Sequence, residues 1–145
     1  MSLIRNKKAN FNYEIVDKIE AGIQLTGQEV KSIRAGQGNI DSAFVVFSDG
    51  ELELVGMNIP PYQPKNTSPA YDRERTRKLL VSKKEIRDLI TERDAKKLTL
   101  FPVSLYNKGT KIKVEIALGR GKKVFDKRET IKKRDVEREM RRVMK

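Results

Sequence analysis

Apolar residues in this 145-residue chain fall into short alternating runs rather than long helical stripes. Phe11, Tyr13 and Ile15 alternate with polar neighbours, as on a strand with one wet face, and Ile19 to Leu25 predicts a second strand. At Thr26-Gly27-Gln28-Glu29 the period changes. Thr26 is spaced to accept from the Glu29 amide while the Glu29 carboxylate reaches back, the reciprocal cap that starts a helix. Val30 and Ile33 supply its inner stripe, and Gly36 is its left-handed stop. Phe44 to Phe47 and Leu52 to Val55 then flank Ser48-Asp49-Gly50-Glu51. Asp-Gly tolerates positive φ at both central positions, so these two runs are predicted to pair as a hairpin.

Pro60, Pro61, Pro64 and Pro69, mixed with Asn66, Thr67 and Ser68, interrupt any regular element between Pro60 and Arg77. A long loop is expected there, mobile and functional or disordered, with Arg73, Arg75, Arg77 and Lys78 at its end. Lys78 to Val81 resumes a strand. Ser82-Lys83-Lys84-Glu85 repeats the capping spacing, and Ile86, Leu89 and Ile90 form the inner face of a second helix. Leu98 to Tyr106 and Lys111 to Leu118 flank a turn at Asn107-Lys108-Gly109-Thr110. In the second of these strands Ile112, Val114 and Ile116 point one way while Lys111, Lys113 and Glu115 point the other.

About six or seven short strands linked mostly by hairpins, with two short helices between them, predict a mainly β fold with some α: a small antiparallel barrel of the oligonucleotide-binding (OB-like) type. Residues 1–119 form this one domain, and residues 120–145 form a basic C-terminal tail. That tail holds 12 Lys or Arg against 5 Asp or Glu, a net +7 of the chain's +12. With this charge and a pI near 10, the expected partner is a polyanion. Nucleic acid fits better than a membrane surface, because no basic stretch carries a broad aromatic or Leu face and Trp is absent.

Cysteine and histidine are both missing, which removes disulfides, thiolate or imidazole metal sites, and the usual nucleophile and base pairs. A magnesium-dependent nuclease would need a close carboxylate cluster, and none stands out among the 20 acids. The expectation is a cytoplasmic, cofactor-free, non-enzymatic monomer. Residues 1–10 show neither a signal-peptide core nor a membrane span.

Several blocks carry a family resemblance. They are Asn6-Lys7-Lys8-Ala9, Glu20-Ala21-Gly22-Ile23, Gly27-Gln28-Glu29-Val30-Lys31-Ser32-Ile33-Arg34-Ala35-Gly36, Arg75-Thr76-Arg77-Lys78-Leu79-Leu80, Leu105-Tyr106, Lys113-Val114-Glu115 and Arg120-Gly121-Lys122-Lys123-Val124-Phe125-Asp126-Lys127-Arg128. In order, over nearly the whole chain, they resemble bacterial small protein B, the protein partner of transfer-messenger RNA in trans-translation. Asp72-Arg73 and Ser82 depart from the family pattern, so the loop before Arg77 transfers least well.

The resemblance implies a barrel that binds the tRNA-like domain of transfer-messenger RNA and carries it to stalled ribosomes. By position it assigns RNA contact to Asn6, Glu20, Leu80 and Lys113. It assigns Lys122, Lys123, Phe125, Asp126, Lys127 and Arg128 to the small-subunit decoding centre, and a late tail role to Val143 and Met144. The vacant mRNA channel receives the tail, and message filling that channel competes with it. Elongation factor Tu and alanyl-tRNA synthetase are implied indirectly, through the RNA. The rival expectation is a general OB-type RNA binder of the translation apparatus, such as a ribosomal protein or initiation factor.

Read without the family, each residue has a plainer explanation. Lys113 is a solvated strand lysine, Leu80 one of two adjacent leucines that must face opposite ways, Asn6 a capping or turning residue, and Glu20 a surface charge. The tail's i,i+4 pairs, Glu129 with Lys133 and Glu137 with Arg141, contribute about 0.2 to 0.5 kcal/mol each, too little to hold an isolated helix. Disorder in free solution is therefore expected, and helix on the ribosome, driven by phosphate contacts of Lys132, Lys133, Arg134 and the arginines beyond.

Overall fold

A computed structural model describes residues 2–122. The tail residues 123–145, and what was expected of them, lie outside the described part. In chain order the elements are β1 (Ser2–Arg5), α1 (Ala9–Asn12), β2 (Tyr13–Ile23), α2 (Gly27–Arg34), β3 (Phe44–Ser48), β4 (Glu51–Val55), β5 (Arg77–Leu80), α3 (Lys83–Lys96), β6 (Thr99–Lys108) and β7 (Lys111–Gly121). All strand pairs are antiparallel, in the order β1-β6-β7-β2-β5-β4-β3. The outermost strands, β1 and β3, are not hydrogen-bonded to each other. The sheet nevertheless curls until β3 lies against β6. The OB-like expectation therefore holds, with seven strands, and with three helices rather than two. Among the described residues no helix is long and apolar enough to cross a membrane.

Local chemistry sets most element boundaries. Thr26 Oγ1 accepts from the Glu29 amide at 3.2 Å and the Thr26 amide donates to Glu29 Oε1 at 2.9 Å, completing the reciprocal cap of α2. Ser82 Oγ accepts from the Glu85 amide at 3.3 Å and starts α3. Asp49 and Gly50 take φ of +51° and +77°, the two left-handed positions the β3–β4 hairpin needs.

The N-terminal region differs from its sequence pattern. Ser2–Arg5 forms an edge strand on β6, and Phe11 lies in the single helical turn α1 rather than on a strand. The two strands expected between Phe11 and Leu25 are one long strand, β2. Its register against β7 shifts between Ile15 and Asp17, which leaves Val16 as an extra residue. Such a bulge reverses which side alternate residues face. Tyr13 and Ile15 therefore pack on one side of the sheet with Ala9, Phe101 and Ala117, while Ile19, Ala21 and Ile23 join the main core on the other. The Tyr13 and Phe101 rings stack at 4.3 Å.

The main core draws on every layer, with Ile33 from α2, Leu52 and Leu54 from β4, Leu89 from α3 and Val114 and Ile116 from β7. On the opposite, outer side of the sheet, α1 covers only the end of β6 and β7 around Phe101 and Ala117. Among the described residues no helix covers the rest of that outer face.

The loop between Pro60 and Arg77 contains one 3-10 turn, Pro64–Asn66, and is fastened at several points. The Ile59 amide donates to Arg73 O, the Tyr71 hydroxyl to Ile59 O, and Ser32 Oγ to Pro60 O. Its basic end is not uniformly exposed: Arg77 is fully buried.

Candidate nucleic-acid interface

On the uncovered outer face, strand register aligns four residues in one row. Leu80 of β5 lies opposite Gly22 of β2, Gly22 opposite Lys113 of β7, and Lys113 opposite Tyr106 of β6. Leu79 points inward and is buried, so its neighbour Leu80 must point out, where half of it is exposed. Gly22 lets it lie close: a Cβ on Gly22 would stand 3.1 Å from Leu80 Cβ. Leu80 and Lys113, two residues expected from the sequence, thus flank Gly22 on one face, with the Leu80 side chain lying over the glycine backbone.

Glu20, two residues before Gly22, belongs to the same side of β2. Its Oε2 accepts from the Tyr106 hydroxyl and its Oε1 from Lys108 Nζ at 2.9 Å. The Tyr106 bond, then Lys108, and at longer range Lys113, hold the Glu20 carboxyl below the usual carboxylate range. Partial burial and the Glu20 carboxylate push the Tyr106 phenol above its usual range in return. The carboxylate is therefore ionised, oriented, and partly neutralised by its neighbours. In the next row Lys18 pairs with Glu115 at 3.3 Å.

A cleft of about 210 Å³ opens beside this row, lined among others by Gly22, Leu25, Arg34, Leu80, Lys111 and Lys113. Arg34, the last residue of α2, donates to Thr110 O at 2.7 Å and ties that helix to the β6–β7 turn. Sequence reasoning missed Gly22, Arg34, Tyr106, Lys108 and Lys111 as parts of this face. Alternation on β7 already placed Lys111 beside Lys113. The others needed the strand register.

Asn6 stands elsewhere. Its amide Nδ2 donates to Pro102 O at 2.8 Å and its Oδ1 accepts from the Lys8 amide at 3.1 Å, while its own backbone N–H donates to Val103 O. It turns the chain from β1 into α1 and holds that turn against β6. Lys122 lies just past β7, where its amide donates to Asn12 O at 2.9 Å and its Nζ to Asn10 O at 2.6 Å. Lys123, Phe125, Asp126, Lys127, Arg128, Lys132, Lys133, Arg134, Val143 and Met144 lie outside the described residues.

A curled, mainly antiparallel sheet with one half-uncovered face, in a chain of net charge +12, defines a small basic protein of the OB-like class. Within that class, the family model described as SmpB protein matches residues 3–145, and the chain belongs to that family. It is similar to the SsrA-binding protein of Mesoplasma florum, 53% identical over 137 residues that cover 94% of this chain and 92% of the relative. The SsrA-binding protein of Microcystis aeruginosa is 47% identical over 140 residues, covering 97% and 91%. A solved chain described as "tmRNA-SmpB: a journey to the center of the bacterial ribosome" is 44% identical, covers 83% of this chain and 84% of its own, and superposes with a TM-score of 0.68.

Proposed function

We propose that this chain binds the tRNA-like domain of transfer-messenger RNA, the SsrA RNA, through the outer face of β5, β2, β7 and β6, and brings it to stalled ribosomes for trans-translation. The observation that carries this reading is the Leu80, Gly22, Lys113, Tyr106 row with Glu20 beside it. A cation, an exposed apolar side chain and an oriented acceptor on one strip suit phosphate, base plane and base edge together. Similarity to SsrA-binding proteins over nearly the whole chain supports the choice of RNA.

The chain performs no chemistry in this reading. Peptide transfer belongs to the ribosome, and elongation factor Tu and alanyl-tRNA synthetase act on the RNA. The protein supplies position: the folded part, in which Arg120 and Gly121 close β7 against β2, fixes the RNA, and the chain beyond Lys122 occupies the vacant mRNA channel beyond the decoding centre. Lys122, Lys123, Phe125, Asp126, Lys127 and Arg128 serve the decoding centre, Lys132, Lys133 and Arg134 meet phosphate further along, and Val143 and Met144 act after binding. Asn6 contributes by setting the β1–α1 turn beside β6. The protein works in the cytoplasm, as a monomer.

The test is binding to the tRNA-like domain, an ordinary tRNA and an unrelated hairpin across a salt series, for the full chain and for one ending at Lys122, which keeps β7 intact. Selectivity that survives shortening and moderate salt supports the proposal. Unselective binding that collapses with the tail makes the chain a general basic RNA binder.

A further inference from the structure

Glu20 is out of place on a face meant for a polyanion. A carboxylate repels phosphate, so whatever it contacts must present N–H or O–H donors. Its two oxygens are each already used once, Oε2 by the Tyr106 hydroxyl and Oε1 by Lys108 Nζ. Each carboxylate oxygen can accept a second hydrogen bond, so two adjacent acceptor positions remain. Tyr106 and Lys108 hold the group in a fixed plane, and such a pair of acceptors matches two donors standing side by side.

Among the RNA bases, guanine alone offers that pattern on its Watson–Crick edge, with N1–H next to the N2 amine. Adenine and cytosine each place a ring-nitrogen acceptor beside their amine, and uracil flanks its single N–H with two carbonyls. Each of these would set an acceptor against the carboxylate, which costs binding rather than adding to it.

The strip beside Glu20 offers an apolar surface for the base itself, the outer flank of Leu80. Gly22 is two residues along β2 on the same side, a separation of about 7 Å, comparable to the breadth of a purine. With no side chain at Gly22, Leu80 lies down over that backbone and presents its exposed flank, on which a base plane can rest. Lys113, opposite Gly22, is placed for the phosphate attached to that base.

We propose, on the reading that this face binds the tRNA-like domain, that Glu20, Gly22 and Leu80 seat one unstacked guanine. Glu20 accepts from its N1–H and N2 amine, and Tyr106 is the positioning residue that aims the carboxylate. The seat confers base specificity, and Lys113 adds affinity without choosing the base.

The experiment replaces each unpaired guanine of the tRNA-like domain, one at a time, by inosine, which lacks only the N2 amine. Binding is measured to the full chain and to its Glu20→Gln and Tyr106→Phe variants, with thermal midpoints confirming that the variants fold. At one position inosine weakens binding to the parent about tenfold. Glu20→Gln binds the guanine and inosine RNAs with the same reduced affinity there, and Tyr106→Phe shrinks the inosine penalty while keeping the fold. Selective binding of the domain with no inosine penalty at any position, or a penalty that persists undiminished in Glu20→Gln, overturns the guanine seat and leaves the proposed function standing. A full penalty in Tyr106→Phe removes Tyr106 from the positioning role. If the parent binds the domain no better than an unrelated hairpin, the functional reading fails instead.

Discussion

Glu29 and Arg77, 48 residues apart in sequence, meet in an ion pair closed off from solvent, with side-chain exposures of 1% and 0%. Arg77 Nε donates to Glu29 Oε2 at 2.9 Å and Nη1 to Met57 O at 2.6 Å. Glu29 Oε1 accepts from Arg75 and from the Thr26 amide. One carboxylate thus caps α2, fixes the start of β5 and fastens the end of the long loop. Replacing Glu29 by Gln leaves Arg77 buried without its counter-charge and is expected to cost about 3 to 5 kcal/mol. Adding Arg77→Met to Glu29→Leu should recover much of the loss, because no unpaired charge then remains inside. Urea unfolding of the single and double variants measures both effects.

The same pair predicts the acid limb of stability. Burial opposes ionisation of Glu29, but Arg75, the Thr26 amide and Arg77 outweigh it and hold the carboxyl below its ordinary value of 4.5. A carboxyl lowered by folding contributes stability that is fully present above the unfolded value and lost as pH falls through the folded one. Unfolding midpoints measured from neutral pH downward should therefore hold until about the ordinary carboxyl range and then fall. In Glu29→Gln that fall should be shallower.

Such a pair explains which parts of the molecule could be read in advance. Both helix caps and the Asp49-Gly50 turn were legible because they are contacts over three residues or fewer. Phe11 was misread because Phe11, Tyr13 and Ile15 alternate as a strand does. What settles them is Asn6 holding the turn against β6 and the extra residue Val16 that reverses the strand. Strand β1 was missed because its pairing comes from a partner a hundred residues away, Ser2 opposite Tyr106. Arg77 was grouped with Arg73, Arg75 and Lys78 at the end of the loop because its buried partner is invisible to any local pattern. On the outer face, alternation placed Lys113, while of Leu79 and Leu80 it required only that one face outward. The bond between Glu20 and Tyr106 depends on β2 and β6 lying on either side of β7.

Two glycines should respond differently to alanine. At Gly119 a Cβ would stand 2.7 Å from Phe101 Cε1 and 3.1 Å from Glu14 O. The ring is stacked on Tyr13 and the carbonyl is backbone, so neither yields easily. Gly119→Ala is expected to lose about 1 to 3 kcal/mol in thermal or urea unfolding.

At Gly22 the close neighbour is the half-exposed Leu80, which can swing away. Gly22→Ala should unfold close to the parent yet bind the tRNA-like domain about fivefold or more weakly, the scale of losing one base contact. A filter-binding titration beside a melting curve separates the two effects.

Lys113→Ala removes one cation from the row without disturbing the core, since Lys113 faces outward between the buried Ile112 and Val114. Binding should weaken by a similar factor for every RNA tested, and the slope of log affinity against log salt should fall by about 1. Binding as tight as the parent's at matched salt removes Lys113 from the interface.

Lys113 and Gly121 lie on the same strand, β7, with Lys122 bonded to α1 directly beyond it. Eight residues of paired strand separate the RNA-facing row from the point where the tail departs, about 27 Å of backbone that cannot stretch or slacken. β7 therefore acts as a rigid strut between two tasks. In the proposed function, the tail reports the emptiness of the channel as a distance measured from the bound RNA, and the zero of that ruler is set by the Lys122 bonds to Asn10 and Asn12.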